Sequence, residues 1–265
     1  MIIEYHRPKT IEETISLLSR EDPCTVVLGG GLYLNEKVKT PIAVADIQSL
    51  DLDTIETKGK KHILGAGVKL QQIIDVDQLP PALISSIKHQ ETYNRRQVAT
   101  LAGTAITADG RSPIPAVLLA LDAELEMIGK NNQSEMIHLG DFLPLREKKL
   151  EGKLVTKVII PSNTKTAYHY AARSPADRPI IAVAVSQWPS GRTRVVLAGY
   201  GDQPVMVLDG PDAGGAETAA RDSYSQAGDQ WASAEYRADT AAVLVRRSLN
   251  QIAENNLGIG NDVEA

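Results

Sequence analysis

Thr25-Val26-Val27-Leu28-Gly29-Gly30-Gly31 is a β-branched run that feeds directly into three glycines. Thr and Val suit the pleated, half-buried surface of a strand, and consecutive glycines let the chain leave that strand through a turn that no Cβ obstructs. Upstream, Thr10 to Leu18 places Ile11, Ile15 and Leu18 on one helical face, with Thr10 as cap and Glu13 as its capping-box partner. Downstream, Ile42-Ala43-Val44-Ala45-Asp46 is a second short strand. The pieces make a β-α-β layout compressed into a small module.

From about residue 52 the pattern restarts. Lys61 to Leu64 is a strand candidate entering Gly65-Ala66-Gly67-Val68, with a short helix over Lys69 to Asp75 behind it. Pro80 and Pro81 lead into a helix at Ala82 to Ile87, Ala99 to Thr107 reads as a small-residue loop, and Pro113 to Leu121 is an apolar run marked by prolines. Glu124 to Ile128 and Ser134 to Leu139 suit a hairpin around Gly129 to Asn132, and the charged Arg146 to Lys153 reads as a solvated surface loop. Leu154 to Ile160, Thr166 to Ala171, Ile180 to Trp188 and Arg192 to Tyr200 read as four strands opening a third module. Helices follow near Ala213 to Asp222 and from Ala238 to Ala253. Strands grouped before helices predict an α+β sandwich. The expected divisions are 1–50, 51–160 and 161–255, with a loosely held Gly- and Asn-rich tail at 256–265.

A chain of 265 residues has ample length for a large core. With 28 Lys and Arg against 33 Asp and Glu, and the basic residues scattered, neither a nucleic-acid groove nor an anionic membrane surface is indicated. Apolar runs stop short of a membrane span, as Pro179 to Val185 does at Ser186. The N-terminus carries no secretion pattern, and the lone Cys24 excludes an intrachain disulfide framework or a thiolate cage for zinc or iron-sulfur. A cytoplasmic location is the expectation.

Two glycine-containing turns are candidates for cradling a phosphate, Gly29-Gly30-Gly31 and Ala102-Gly103-Thr104, because backbone N–H groups there can converge on one anion. Two tight turns with no ligand explain the same residues. No Gly-Lys-Ser or Gly-Lys-Thr occurs, and Gly65-Ala66-Gly67 lacks the third glycine of the dinucleotide fingerprint. His6, His62, His89, His138 and His169 are far apart in sequence and show no metal-ligand spacing. Asp109 with Arg111 is the charged pair beside the second turn, equally well a local salt bridge.

In order and spacing these motifs resemble the FAD-binding medium subunits of the molybdenum hydroxylases, the family of carbon monoxide dehydrogenase medium subunits and the xanthine dehydrogenase flavin domain. Val27 to Leu34 resembles the first flavin loop of that family, and Leu64 to Val68 its central strand turn. Thr100 to Thr104 through Asp109 to Pro115 and Leu118 to Ala123 resembles the second flavin loop and its helix. Asp141 to Leu143, Leu154 to Pro161 and Ala232 to Arg237 resemble its C-terminal domain.

The resemblance implies an α+β, PCMH-type FAD-binding fold: two N-terminal α/β subdomains followed by a C-terminal domain like that of the carbon monoxide dehydrogenase flavoprotein. It implies noncovalent FAD held by Leu28, Gly29, Gly30, Gly31, Leu32, Tyr33, Thr100, Ala102, Gly103 and Thr104, with Asp109 toward the ribityl and adenine side. It also implies two partners, a large molybdopterin-binding subunit and a small [2Fe-2S] subunit, from which electrons pass through FAD to an external acceptor. The chain would thus be an oxidoreductase subunit that is incomplete on its own. Leu32 stands where the family is polar, Ala102 where it has glycine and Thr104 where it has an amide. These changes keep open a second reading, a degenerate structural subunit with weak or no FAD binding. On the FAD-binding reading Gly30→Asp should abolish flavin retention with the fold largely intact, and Gly30→Ala should be milder, costing mainly backbone strain if φ is positive there.

Overall fold

The computed structural model describes residues 1–32, 34 and 40–254, so Tyr33 and the 256–265 tail lie outside the described residues. The described chain forms two compact units. The first comprises Met1–Leu79, Glu91–Thr107 and Asp122–Ser162, and the second Pro80–Gln90, Ala108–Leu121 and the chain from Asn163 onward.

In the first unit, β1 (Ile2–His6), β2 (Thr25–Leu28) and β3 (Ile42–Asp46) make a parallel sheet in the order β1-β3-β2. Parallel strands need a crossover, and helix Ile11–Leu18 supplies it between β1 and β2, which flank β3. β3 is buried at all five positions because it is the central strand. The sequence reading leaves β1 unassigned, since Ile2-Ile3-Glu4-Tyr5-His6 is a largely exposed edge strand with no clean alternation. Thr10 caps the helix by accepting the Glu13 amide at 3.1 Å, while the Glu13 carboxylate accepts from the Lys9 amide at 2.8 Å. The capping box is therefore displaced by one residue on its return arm.

The second sheet of this unit is antiparallel and five-stranded, β4-β5-β8-β6-β7, built from β4 (Ile55–Lys58), β5 (Lys61–Gly65), β6 (Glu124–Ile128), β7 (Ser134–His138) and β8 (Leu154–Pro161). β8 was expected to open the strand group of the third module. It instead pairs with both β5 and β6, Val158 standing opposite Leu64 and Leu125, all three fully buried. Alternating burial along a strand tells which face is inside and says nothing of which strand lies beside it.

Two loop expectations are also corrected. Leu101–Ile106, inside the expected small-residue loop, is a helix, because Thr100 caps it by accepting the Gly103 amide at 3.2 Å. Arg146–Leu150 is a short helix within the charged stretch.

The second unit carries an antiparallel sheet, β12-β11-β10-β9, from β9 (Lys165–Ala171), β10 (Ile181–Gln187), β11 (Thr193–Ala198) and β12 (Val205–Gly210); β12 was not anticipated. Val183, Val185, Val195 and Leu197 share a core with Ala216, Ala220, Ala241 and Val245 of helices Ala216–Ser223 and Ala234–Glu254. The alternate residues Ala182, Ala184 and Ser186 are buried too, helix Pro113–Ala120 packing against β10 and β11 and helix Pro81–Gln90 against β9. A central strand covered on both sides reads as a continuous apolar run, as β10 does. Arg237 is fully buried and satisfies the carbonyls of Ile180 and Gly199 and the Asp229 carboxylate, at 3.2, 2.8 and 2.7 Å.

Candidate functional site

β2 ends where Leu28 stands beside Asp46 of β3, and the chain then turns through Gly29, Gly30 and Gly31. Gly31 has φ +71°, in the left-handed region that favours glycine. Gly30 is required for another reason. A Cβ built on it would lie 1.8 Å from the Val98 carbonyl oxygen and 2.7 Å from its carbon. The first glycine turn therefore rests directly on the backbone that leads into the second, which overturns two expectations: Gly30→Ala costs a backbone clash rather than mainly backbone strain, and Gly30→Asp, which adds the same Cβ, does not leave the fold intact.

That backbone is fixed from its other side. The Ala99 carbonyl accepts the Leu70 amide at 3.0 Å, and the Leu101 amide donates to the Val68 carbonyl at 3.0 Å. The Lys69 ammonium, between those two contacts in sequence, donates to the Gly29 carbonyl at 3.3 Å. Burial lowers the Lys69 pKa, against the opposing pull of Asp46 and Asp53. Sequence reading missed Lys69 because a lone lysine before a short helix looks like any solvated charge.

Thr100 joins the two turns. Its hydroxyl oxygen lies 2.9 Å from where a Gly29 Cβ would be and 2.7 Å from where a Gly103 Cβ would be, while accepting the Gly103 amide. Thr104 and Thr107 donate their hydroxyls to the carbonyls of Thr100 and Gly103, at 2.9 and 2.8 Å. The threonine hydroxyl protons at 104 and 107 are thus spent on the helix's own backbone. Among the described residues, no acceptor takes the amides of Gly30, Gly31 or Ala102.

A cavity of about 310 Å³ opens against these groups within the first unit, lined by Gly29, Gly30, Gly31 and Leu32 from one turn and by Thr100, Ala102, Gly103 and Thr104 from the other. Its remaining walls are mainly apolar, from Val27, Ile47, Ile106, Leu154 and Val155, and Lys153, whose stem lies beside Gly129 and whose ammonium pairs with Glu135, is the only charged residue at its edge among the described residues. Lys153 falls at the end of the stretch read as a solvated loop. Leu28 does not line the cavity; its side chain packs beneath the turn, 3.1 Å from where a Gly31 Cβ would be.

Asp109 belongs to the second unit and is not part of this cavity. Its carboxylate accepts the Arg111 amide and the Ser112 hydroxyl, each at 2.9 Å, and pairs with Arg178. The Asp109 pKa is lowered: burial raises it, and the Arg178, Ser112 and Arg111 hydrogen bonds together outweigh burial. The expected side-chain pair with Arg111 does not form. The Arg111 guanidinium donates instead to the carbonyls of Pro179 and Arg178, at 3.0 and 2.8 Å, and lies over the Trp231 ring. Among the described residues no three His, Cys, Asp or Glu side chains gather as metal ligands, and no helix is long and apolar enough to cross a membrane.

Set beside known proteins, residues 1–163 match a family model described as the FAD binding domain in molybdopterin dehydrogenase. The uncharacterized protein YgfM of Escherichia coli is 27% identical over 213 residues, 79% of each chain. The carbon monoxide dehydrogenase medium chain of Afipia carboxidovorans is 26% identical over 279 residues, 94% of this chain and 96% of that one. A crystal structure of Cu,Mo-CO dehydrogenase in its cyanide-inactivated form contains a chain with the same fold, at TM-score 0.80 and 23% identity over 95% of this chain and 98% of that chain.

Proposed function

The chain belongs to the family of FAD binding domains in molybdopterin dehydrogenases, and from that premise we propose that it binds FAD noncovalently and serves as the electron-transfer subunit of a molybdenum hydroxylase complex. Its PCMH-type α+β fold and its place among oxidoreductase subunits are the family's. One observation carries the proposal further: two glycine turns some seventy residues apart in sequence are locked together and line a single cavity. FAD, when bound, supplies the redox chemistry, which no side chain here provides.

The chain's own part is to bind and orient. The amides of Gly30, Gly31 and Ala102 are the donors available for a pyrophosphate, and the absence of side chains at Gly29 to Gly31 permits close approach. Thr100 and Lys69 hold the two turns rigid, so the donors are set before the ligand arrives. Val27, Ile47, Leu154 and Val155 supply a dry wall. The cavity lies at the lower end of the usual range for small-molecule sites, about 300–1,000 Å³, which suits part of a dinucleotide rather than all of it.

In the complex, electrons would arrive from the [2Fe-2S] centres of a small subunit, themselves supplied by a large molybdopterin-binding subunit, and would leave for an external acceptor. Three modules, 1–50, 51–160 and 161–255, remain the proposed division of labour. A second reading, a structural subunit of such a complex, is favoured by two features: the Thr104 and Thr107 hydroxyls turn to backbone carbonyls, and the Leu32 side chain offers no donor. Flavin content decides between the two. Heat-denatured protein should release close to one FAD per chain by chromatography. A ratio near zero, unchanged after incubation with excess FAD, refutes the electron-transfer reading and leaves the structural one.

A further inference from the structure

In the second unit, Trp231 stands 40% exposed with the guanidiniums of Arg111 and Arg173 each 4.9 Å from its ring centroid. Tryptophan carries a large apolar ring and is normally well covered. Here the ring is displayed from a fixed turn. The Asp229 carboxylate accepts the Trp231 and Ala232 amides at 2.8 and 3.1 Å and is itself held by the fully buried Arg237 at 2.7 Å. The facing loop, between β9 and β10, leaves Arg173 to Arg178 exposed, yet its backbone is pinned. His89 Nε2 donates to the Asp177 carbonyl at 3.1 Å, and Arg111 donates to the carbonyls of Arg178 and Pro179.

The charges there do not balance. Asp109 neutralises Arg178 and Asp229 neutralises Arg237. Arg111 spends its printed donors on carbonyls, and among the described residues no carboxylate pairs with Arg173, Asp177 of its own loop included. A positive surplus therefore surrounds an exposed indole in a chain of net charge -5. We propose that this patch docks an acidic segment of a partner subunit, one carboxylate taking the free edge of the Arg173 guanidinium while the partner's chain covers the indole. The inference rests on the reading of the chain as one subunit of a complex and adds where a partner meets it. A guanidinium stacked on a ring keeps its fork of N–H donors free for a carboxylate. Trp and Arg are the residue types that carry most interface energy, and pinned loops lose little freedom on binding. A free anion could use the fork, but it would leave the displayed indole without a purpose.

The test uses the tagged full-length chain purified from its native cells with the subunits it assembles with, their affinity measured by analytical ultracentrifugation. Arg173→Glu and Trp231→Ala should each weaken assembly by about tenfold or more, with circular dichroism unchanged. Arg246→Glu, an equal charge reversal at another exposed site of the same unit, should leave assembly unaltered. Arg173→Lys supplies an ammonium that a carbodiimide can join to a carboxylate in contact with it, and mass spectrometry should find that link to an Asp or Glu of another subunit. Wild-type assembly in both Arg173→Glu and Trp231→Ala, equal weakening by Arg246→Glu, or no link to another subunit overturns the docking surface while leaving the subunit reading standing. A wild-type chain that purifies alone overturns both.

Discussion

Replacing Gly30 by alanine tests how the two turns are joined. The new Cβ would stand 1.8 Å from the Val98 carbonyl oxygen and 3.3 Å from the Ala99 Cα. That is roughly 1.5 Å or more inside ordinary van der Waals separation at the carbonyl. Neither contact is a side chain that could rotate away, and Ala99 is tied by its amide to the Arg95 carbonyl at 2.8 Å and by its own carbonyl to the Leu70 amide. The backbone itself must shift. Overpacking of a tight site costs about 1–3 kcal/mol, and an immobile backbone on both sides places this change at the upper end, near 3 kcal/mol. Because the shift parts the turns, retained flavin should fall together with stability. Gly59→Ala is the control, since Gly59 has φ +59° with nothing within 4 Å of its Cβ position, and only the backbone cost of about 1–2 kcal/mol applies. Urea unfolding followed by circular dichroism, with released flavin measured on the same samples, reads both effects. Gly30→Ala as stable as wild type, or no more destabilised than Gly59→Ala, refutes the reasoning.

Arg237→Met should destabilise the second unit by about 3–5 kcal/mol, because two carbonyls and the Asp229 carboxylate lose the donors of a fully buried guanidinium. Urea unfolding measures the loss, and Arg237→Lys should recover less than half of it, a point ammonium being unable to span three acceptors. Asp209, its pKa pulled to about 2 by hydrogen bonds from Arg192 and then Arg194, contributes stability that is present above the unfolded carboxyl pKa and lost as pH falls toward 2. Asp209→Asn should therefore cost about 1 kcal/mol at pH 7, with the gap to wild type closing between about pH 4 and 2 in thermal melts. A gap that is flat across that window would show that the charge is not what stabilises.

The family was legible because ordered motifs survive substitutions that alter individual donors. The first turn was legible locally, since Thr25 to Gly31 announces a strand and its exit. Gly30 was singled out for the wrong physical cause. Sequence shows that a side chain is missing and cannot show whether ligand or backbone occupies its place, and here Val98 does. The helix Leu101–Ile106 escaped because six residues give no periodicity to read, and its Thr100 cap looks like one more loop hydroxyl. The position of β8 escaped because pairing is decided by strands distant in sequence, β5 before it and β6 after the chain has visited the second unit. Asp109 and Arg111 were paired on proximity along the chain, yet Arg178 takes the carboxylate from 69 residues away.

The interleaving of the two units bears on how the chain is made. Helix Pro113–Ala120, buried at all eight positions, leaves the ribosome well before β10 and β11, the strands it packs against. At synthesis rates of about 5–20 residues per second, several seconds separate the two events. Through that interval the nascent chain carries an uncovered greasy segment that needs shelter, from a chaperone or from transient burial elsewhere in the growing polypeptide. The same circumstance makes a polypeptide ended at residue 163, the limit of the family match, a poor candidate for soluble expression, because it would contain this helix and lack the sheet that covers it.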